Sequence, residues 1–178
     1  MTRETARELL EEVRFSAIRG NASEILALTV GRSGGSGVEV DRADAVTESA
    51  LPQAAELARS LAARTGAVVN LSGAVDVIAT AGRVLFLRNG SPTMTRITGS
   101  GCMLSALTGA FCGASPDKPF AAAAAAAAAM GIAGERAEEL RLQKGTGSAT
   151  FRVDLIDSVF NLTEEQLMQG VRYEIYQG

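Results

Sequence analysis

An α/β fold, with a sheet layered between helices, is what this sequence predicts, and three observations carry that expectation. Helix-period and strand-like segments alternate along most of the chain. Of its 178 residues, 47% are hydrophobic and 21% charged, the balance of a globular chain with one core. Neither a fixed repeat period nor a linker-like segment interrupts it, so residues 1–178 read as a single domain.

The elements follow in order. Thr2 to Arg14 carries Leu9, Leu10 and Val13 at helical spacing, and Phe15 to Ile18 is a short apolar run that reads as a buried strand. In "RGNASEILAL", Asn21 is a good N-cap and Glu24 follows three residues later, which predicts a second helix up to the glycine-rich "GRSGGSG". Asp44 to Arg64 is alanine, leucine and charge at helical period, and "GAVVNLSG" after it reads as a buried strand. "VDVIAT" and "RVLFLR", about a turn at Ala81-Gly82, form a hairpin or two edge strands. Cys102 to Cys112 and Lys118 to Leu140 read as helices. The second contains nine consecutive alanines, Ala121 to Ala129, whose helix propensity and small size suit close packing against a neighbour and suggest no function of their own. "QKGTGSATF" reads as a glycine-rich loop. Val153 to Phe160 and Thr163 to Val171 then make two terminal helices, with Thr163 as a cap and Glu164 and Glu165 in the first turn.

Composition excludes several functions. A net charge of −3 and scattered basic residues leave no footprint for nucleic acid. Ala121 to Ala129 is too short and too weakly hydrophobic to span a bilayer, and Met1 to Leu10 is charged where a signal peptide would be apolar, so neither a membrane nor export is expected and the chain is placed in the cytoplasm. Cys102 and Cys112, ten residues apart on one helix, would sit ~15 Å apart, beyond disulfide reach, so both thiols are expected free. The absence of histidine removes any Ser/His/Asp or Cys/His pair and the commonest zinc ligand. The formal G-x-S-x-G match at Gly31 to Gly35 is therefore read as a flexible loop.

The informative stretch is "RITGSGCMLSAL", Arg96 to Leu107. It lacks the Lys and Ser/Thr that complete a P-loop, and its spacing misses the third glycine of the dinucleotide fingerprint. What remains is a run of backbone N–H groups at Gly99, Ser100, Gly101 and Cys102, unobstructed at a helix start. These make either an anion hole or a plain turn, and a cysteine there could become an unusually acidic thiol.

"NGSPTMTRITGSGCMLSALTGAF" resembles the signature segment of hydroxyethylthiazole kinases, which belong to the ribokinase-like superfamily, and "AIRGNASEI" resembles the same family's nucleotide and metal segment. The resemblance continues through "LSGAVDVI", "AGERA" and "GTGS". It implies a ribokinase-like layered sheet flanked by helices, and transfer of the γ-phosphoryl group of ATP, with Mg2+, to the primary alcohol of 4-methyl-5-(2-hydroxyethyl)thiazole in thiamine salvage. Cys102 would lie near the substrate hydroxyl, where ribokinase-like relatives generally place an aspartate base. Gly99, on the substrate side, with Ser100 and Gly101 on the ATP side, would form the anion hole. Asn21 and Glu24 would match the N-x-x-E element that holds magnesium through water, Asn21 also bordering the nucleotide. Arg19 would contact the nucleotide phosphates, and Ser72 would stand where the family usually has threonine. Ala74 replaces a frequent glutamate, and Ser100 a commoner threonine. Because "TRETARELLEEV" resembles a region well inside family members, the amino-terminal part, with the first strands and most of the thiazole pocket, is expected to be missing and a sheet edge to be uncovered. Two readings follow: a kinase, either as a portion of a longer enzyme or with a second chain supplying the amino-terminal half, the resemblance implying a homotrimer with sites at subunit boundaries, or a non-catalytic nucleotide-binding or structural remnant.

Overall fold

The computed structural model describes residues 3–29 and 48–177. Gly31 to Gly35 and the start of the helix expected from Asp44 lie outside those residues. Five described strands form one sheet in the order β1-β2-β3-β4-β5. β1 (Ala17–Asn21) runs parallel to β2 (Val68–Ser72), while β3 (Asp76–Ala79), β4 (Val84–Leu87) and β5 (Tyr173–Tyr176) continue antiparallel.

Helices cover both faces. On one side α1 (Arg3–Glu12), α2 (Ala22–Thr29) and α3 (Leu51–Thr65) meet the side chains of Ile18, Val69, Leu71, Val77 and Phe86. On the other, α4 (Ser100–Ala114), α5 (Pro119–Lys144) and α6 (Ser148–Phe160) pack over Val68, Ile78 and Leu87, with α7 (Glu164–Gly170) alongside. The alternation of side chains along each strand makes this division possible: odd and even residues of β2 feed different cores. The expected layered α/β architecture is what forms.

Local chemistry explains the element ends. Asn21 and Glu24 exchange hydrogen bonds at the start of α2, each backbone N–H donating to the other's side chain at 2.8 Å. Pro52 stands in the first turn of α3, and Gly66 ends it in the left-handed region with φ 72°, its N–H donating to Ala62 O. Thr163 caps α7 in a full capping box with Gln166, as its position predicts.

Several expected boundaries move. The first strand is Ala17–Asn21, not Phe15 to Ile18, because five rungs of pairing, Ala17↔Val68 through Asn21↔Ser72, carry it into polar sequence. The stretch read as the loop "QKGTGSATF" is mostly helical: α5 runs to Lys144 and α6 begins at Ser148, well before Val153, leaving only residues 145–147 between them. β5 lies beyond the last expected helix. Its Tyr176 ring meets Phe86 at 5.2 Å between centroids, so the strand is specified by its partner on β4 rather than by its own alternation. Cys102 is exposed, Cys112 half-buried, and both are free; burial pushes the Cys112 thiol up.

The alanine run lets α5 sit close to the sheet, and Gly131 brings it against the residues that leave β4. A Cβ on Gly131 would stand 2.6 Å from Asn89 Cβ and 2.8 Å from the Asn89 backbone. Gly131→Ala should therefore lower unfolding free energy by about 1–3 kcal/mol. Gly109→Ala, on α4 with open space around it, should raise it by up to about 1 kcal/mol. Urea denaturation of the two variants checks the contrast, and equal effects would remove the close-approach argument.

Candidate active site

A cleft of about 410 Å³ opens where β1 and β2 end, against the start of α4 and the middle of α5. Parallel strands leave ligand sites at their carboxyl ends, and the described sheet has one parallel pair. Of the residues singled out from the sequence, Arg19, Ser72, Ser100 and Gly101 line this cleft together. Gly99, Cys102, Asn21 and Glu24 are not among its lining residues.

The register sets the polar end. Arg19 pairs with Asn70 and Asn21 with Ser72, so β1 and β2 send these side chains to the same face. The Arg19 guanidinium reaches across to β2, where Nη2 donates to Ser72 Oγ at 2.6 Å. It also lies against the first turn of α4: a Cβ on Gly101 would be 2.6 Å from Arg19 Nη1. Glycine at 101 is what allows the cation so close to backbone.

The start of α4 supplies the second feature. Gly99 occupies the N-cap with φ 101° and offers no side-chain cap, a backbone state that favours glycine. Ser100 does not cap the helix, since its hydroxyl donates to Met94 O at 3.1 Å. The first-turn amides therefore remain available to an anion, with the positive end of the helix dipole behind them. Cys102 follows one residue later in an exposed position.

Asp76 is a residue that sequence reasoning missed. It lines the cleft beside Ser72, and its Oδ1 accepts from Gly73 N–H at 2.9 Å. Burial raises its carboxyl to about 6, with the Gly73 amide and the Arg19 cation opposing that rise. Its one sequence signal is a carboxylate at the head of an otherwise apolar strand. The far wall is fixed by a second missed residue, Glu135 of α5. Asn89 Nδ2 donates to it at 3.2 Å, Gly90 N–H at 2.8 Å and Arg172 Nη2 at 2.6 Å. Asn89 Oδ1 in turn accepts from Arg172 N–H at 2.8 Å. One carboxylate thus holds the β4 exit, α5 and the approach to β5 together.

Asn21 and Glu24 stand at the entry to α2, committed to each other in the cap. Only Oε2 of the Glu24 carboxylate is used there, and the side chain is exposed. A carboxylate oxygen beside an amide suits a cation that keeps most of its water, so these residues fit magnesium held through water. No described group of three His, Cys, Asp or Glu residues could hold a metal directly. No helix among the described residues is long and apolar enough to cross a membrane.

Comparison with known proteins gives a consistent result. The model of the "Hydroxyethylthiazole kinase family" matches residues 1–165. A hydroxyethylthiazole kinase of Clostridium acetobutylicum is 44% identical over 176 residues, covering 99% of this chain and 64% of the relative. One from Desulfovibrio desulfuricans is 43% identical, covering 87% of this chain and 57% of the relative. The solved structure of a hydroxyethylthiazole kinase protein from Pyrococcus horikoshii superposes with a TM-score of 0.76 at 27% identity, over 98% of this chain and 60% of that one. The chain spans about three fifths of the length of these relatives. Nothing in the matches supports a separate chain supplying an amino-terminal half.

Two outcomes test the geometry. Gly101→Ala places a methyl group against the flexible end of Arg19, so the guanidinium should move rather than the fold. The melting temperature should hold or rise, while affinity for inorganic pyrophosphate falls about tenfold by calorimetric titration. Unchanged affinity would separate Arg19 from anion binding. For Asp76, a folded pKa of about 6 against 3.8 means that the native state binds the proton more readily. Its contribution to stability is then complete below about 4 and lost as pH rises through about 6. The stability of Asp76→Asn relative to the parent should accordingly increase between pH ~4.5 and ~7.5, read by urea denaturation at each pH. A flat difference would show that burial does not perturb this carboxyl.

Proposed function

The chain belongs to the hydroxyethylthiazole kinase family, and from that premise we propose that it transfers the γ-phosphoryl group of ATP to the primary alcohol of 4-methyl-5-(2-hydroxyethyl)thiazole in thiamine salvage. The observation that carries this reading is the convergence of the Arg19 guanidinium and the uncapped first turn of α4 over Gly101. Two positive features brought this close favour an anionic group between them, and a polyphosphate satisfies both.

In this reading Arg19 binds phosphate oxygens through its guanidinium fork, and Ser72 holds that fork in place through the bond already made to Nη2. The amides of Ser100 and Gly101 steady charge on the transferring group, with Gly99 setting the turn that exposes them toward the acceptor side. The Cys102 thiolate accepts the proton of the acceptor alcohol as its oxygen bonds to the γ-phosphorus and the bond to the β-phosphate oxygen breaks, releasing ADP. Glu24 and Asn21 would hold magnesium through water, which would supply neutralising charge to the phosphates. Cys102 is exposed and is not among the residues that line the cleft; in this reading the nucleotide phosphates occupy the cleft and the acceptor alcohol meets the γ-phosphorus at the start of α4, beside Cys102.

The test is ATP consumption by the purified chain with magnesium, with and without the thiazole alcohol. Alcohol-dependent turnover is expected, with kcat of Cys102→Ala down at least about tenfold and Cys102→Asp within about threefold of the parent. Equal rates in all three proteins would remove Cys102 from the mechanism. ATP binding without alcohol-dependent turnover would overturn the kinase reading in favour of a nucleotide-binding chain.

A further inference from the structure

Asn70 sits at the centre of β2 with no exposed surface, and neither its carboxamide oxygen nor its nitrogen has a hydrogen-bond partner. Buried amides without partners are rare because the polar group has lost water and gained nothing. An apolar side chain would serve better at this position if packing were its only duty: its neighbours on the strand are Val68, Val69 and Leu71, Ile78 pairs with it on β3, and the helices above contribute Leu104, Ala123 and Ala127. The one rung on its other side is occupied by Arg19, whose Nε is also buried and also without a partner. A lone donor and a lone acceptor thus stand on adjacent strands, on the same face, in one register pair.

We propose that Asn70 is a positioning residue for Arg19: the two side chains are not bonded in the arrangement described, and a rotation of the carboxamide brings its oxygen onto the Arg19 Nε–H, fixing the stem of the side chain while Nη2 stays on Ser72 Oγ and Nη1 faces an anion. The division of labour follows from the guanidinium's geometry. Nη2 is engaged by Ser72, the outer edge lies over the α4 first turn, and Nε is buried without a partner on the rung where Asn70 has an acceptor to spare. Asn70 touches no substrate in this account and acts through Arg19. The inference rests on the phosphate-binding reading of Arg19 for its functional consequence, but not for the hydrogen bond itself.

Two readouts keep those apart. In the full-length chain carrying nitrogen-labelled arginine, the Arg19 Nε–H signal should be protected from hydrogen exchange, and Asn70→Leu should abolish that protection without lowering the melting temperature. A destabilised Asn70→Leu would be replaced by Asn70→Ala, in which the same loss of protection is expected. In parallel, Asn70→Leu should weaken MgATP binding about tenfold in the parent and by less than about twofold in an Arg19→Lys background, where no Nε exists. Unprotected Nε–H in the parent, or an equal loss of affinity in both backgrounds, would overturn the proposal. If the parent binds no MgATP, the kinase reading fails, and the exchange measurement still decides the role of Asn70.

Discussion

The parallel pairing of β1 with β2 is the constraint on which the rest of the molecule depends. Its register sets Arg19 opposite Asn70 and Asn21 opposite Ser72. A slip of one residue would turn every β1 side chain to the other face, burying the Arg19 cation among the aliphatic side chains under α2 and α3 and emptying the cleft. Parallel strands require a crossover, and here α2 and α3 supply it while covering one face with Ile25, Leu57 and Leu61. That leaves the opposite face for α4 and α5, and so fixes where a helix N-terminus can meet the strand ends. The polar "RGN" of β1 has little claim to be a strand by itself. It is held as one by the apolar β2 beside it.

Small residues then determine how close the second layer comes. Gly131 meets the Asn89 backbone, Gly101 meets Arg19, and the buried alanines between Ala122 and Ala129 bring α5 onto the sheet. The alanine run has no chemistry of its own, as its composition suggests, yet Ala127, Met130 and Gly131 form the floor of the cleft. Close packing makes the wall rigid, and Glu135 ties that wall to the β4 exit through Asn89 and Gly90. A site built this way is preorganised by the core rather than by its own loops.

Legibility in the sequence followed the range of the forces involved. Where a local signal decides, the reading was good: the Asn21 and Thr163 caps, the β3–β4 hairpin about Ala81-Gly82, and the α3 helix ending before Gly66. Where a distant partner decides, it failed. The extent of β1 comes from β2, β5 exists because β4 offers an edge and Phe86 a ring for Tyr176, and α6 begins early because Phe151 and Leu155 are buried under α5. The candidate site divides the same way. The glycines of "GSG" announce an open helix start, and Arg19 and Ser72 came from resemblance to a family. Glu135 and Asn70 carry no local signal, and Asp76 only that of a carboxylate heading an apolar strand, since their environments are made by strands and helices far along the chain.

The electrostatics of the cleft argue for what it holds more strongly than its shape does. Arg19 is a permanent cation, and the first turn of α4 adds the partial positive charge of a helix N-terminus against it. Left alone these repel. The carboxylate that could offset them, Asp76, is engaged by the Gly73 amide and has its charged form penalised by burial, which is why its carboxyl titrates near 6 rather than near 3.8. The fold thus brings two positive features together, with the Asp76 carboxylate beside Arg19 engaged by the Gly73 amide. Such an arrangement has more to gain from a multiply charged anion between its two positive features than from a neutral occupant, because the field of both is set by the fold before anything enters.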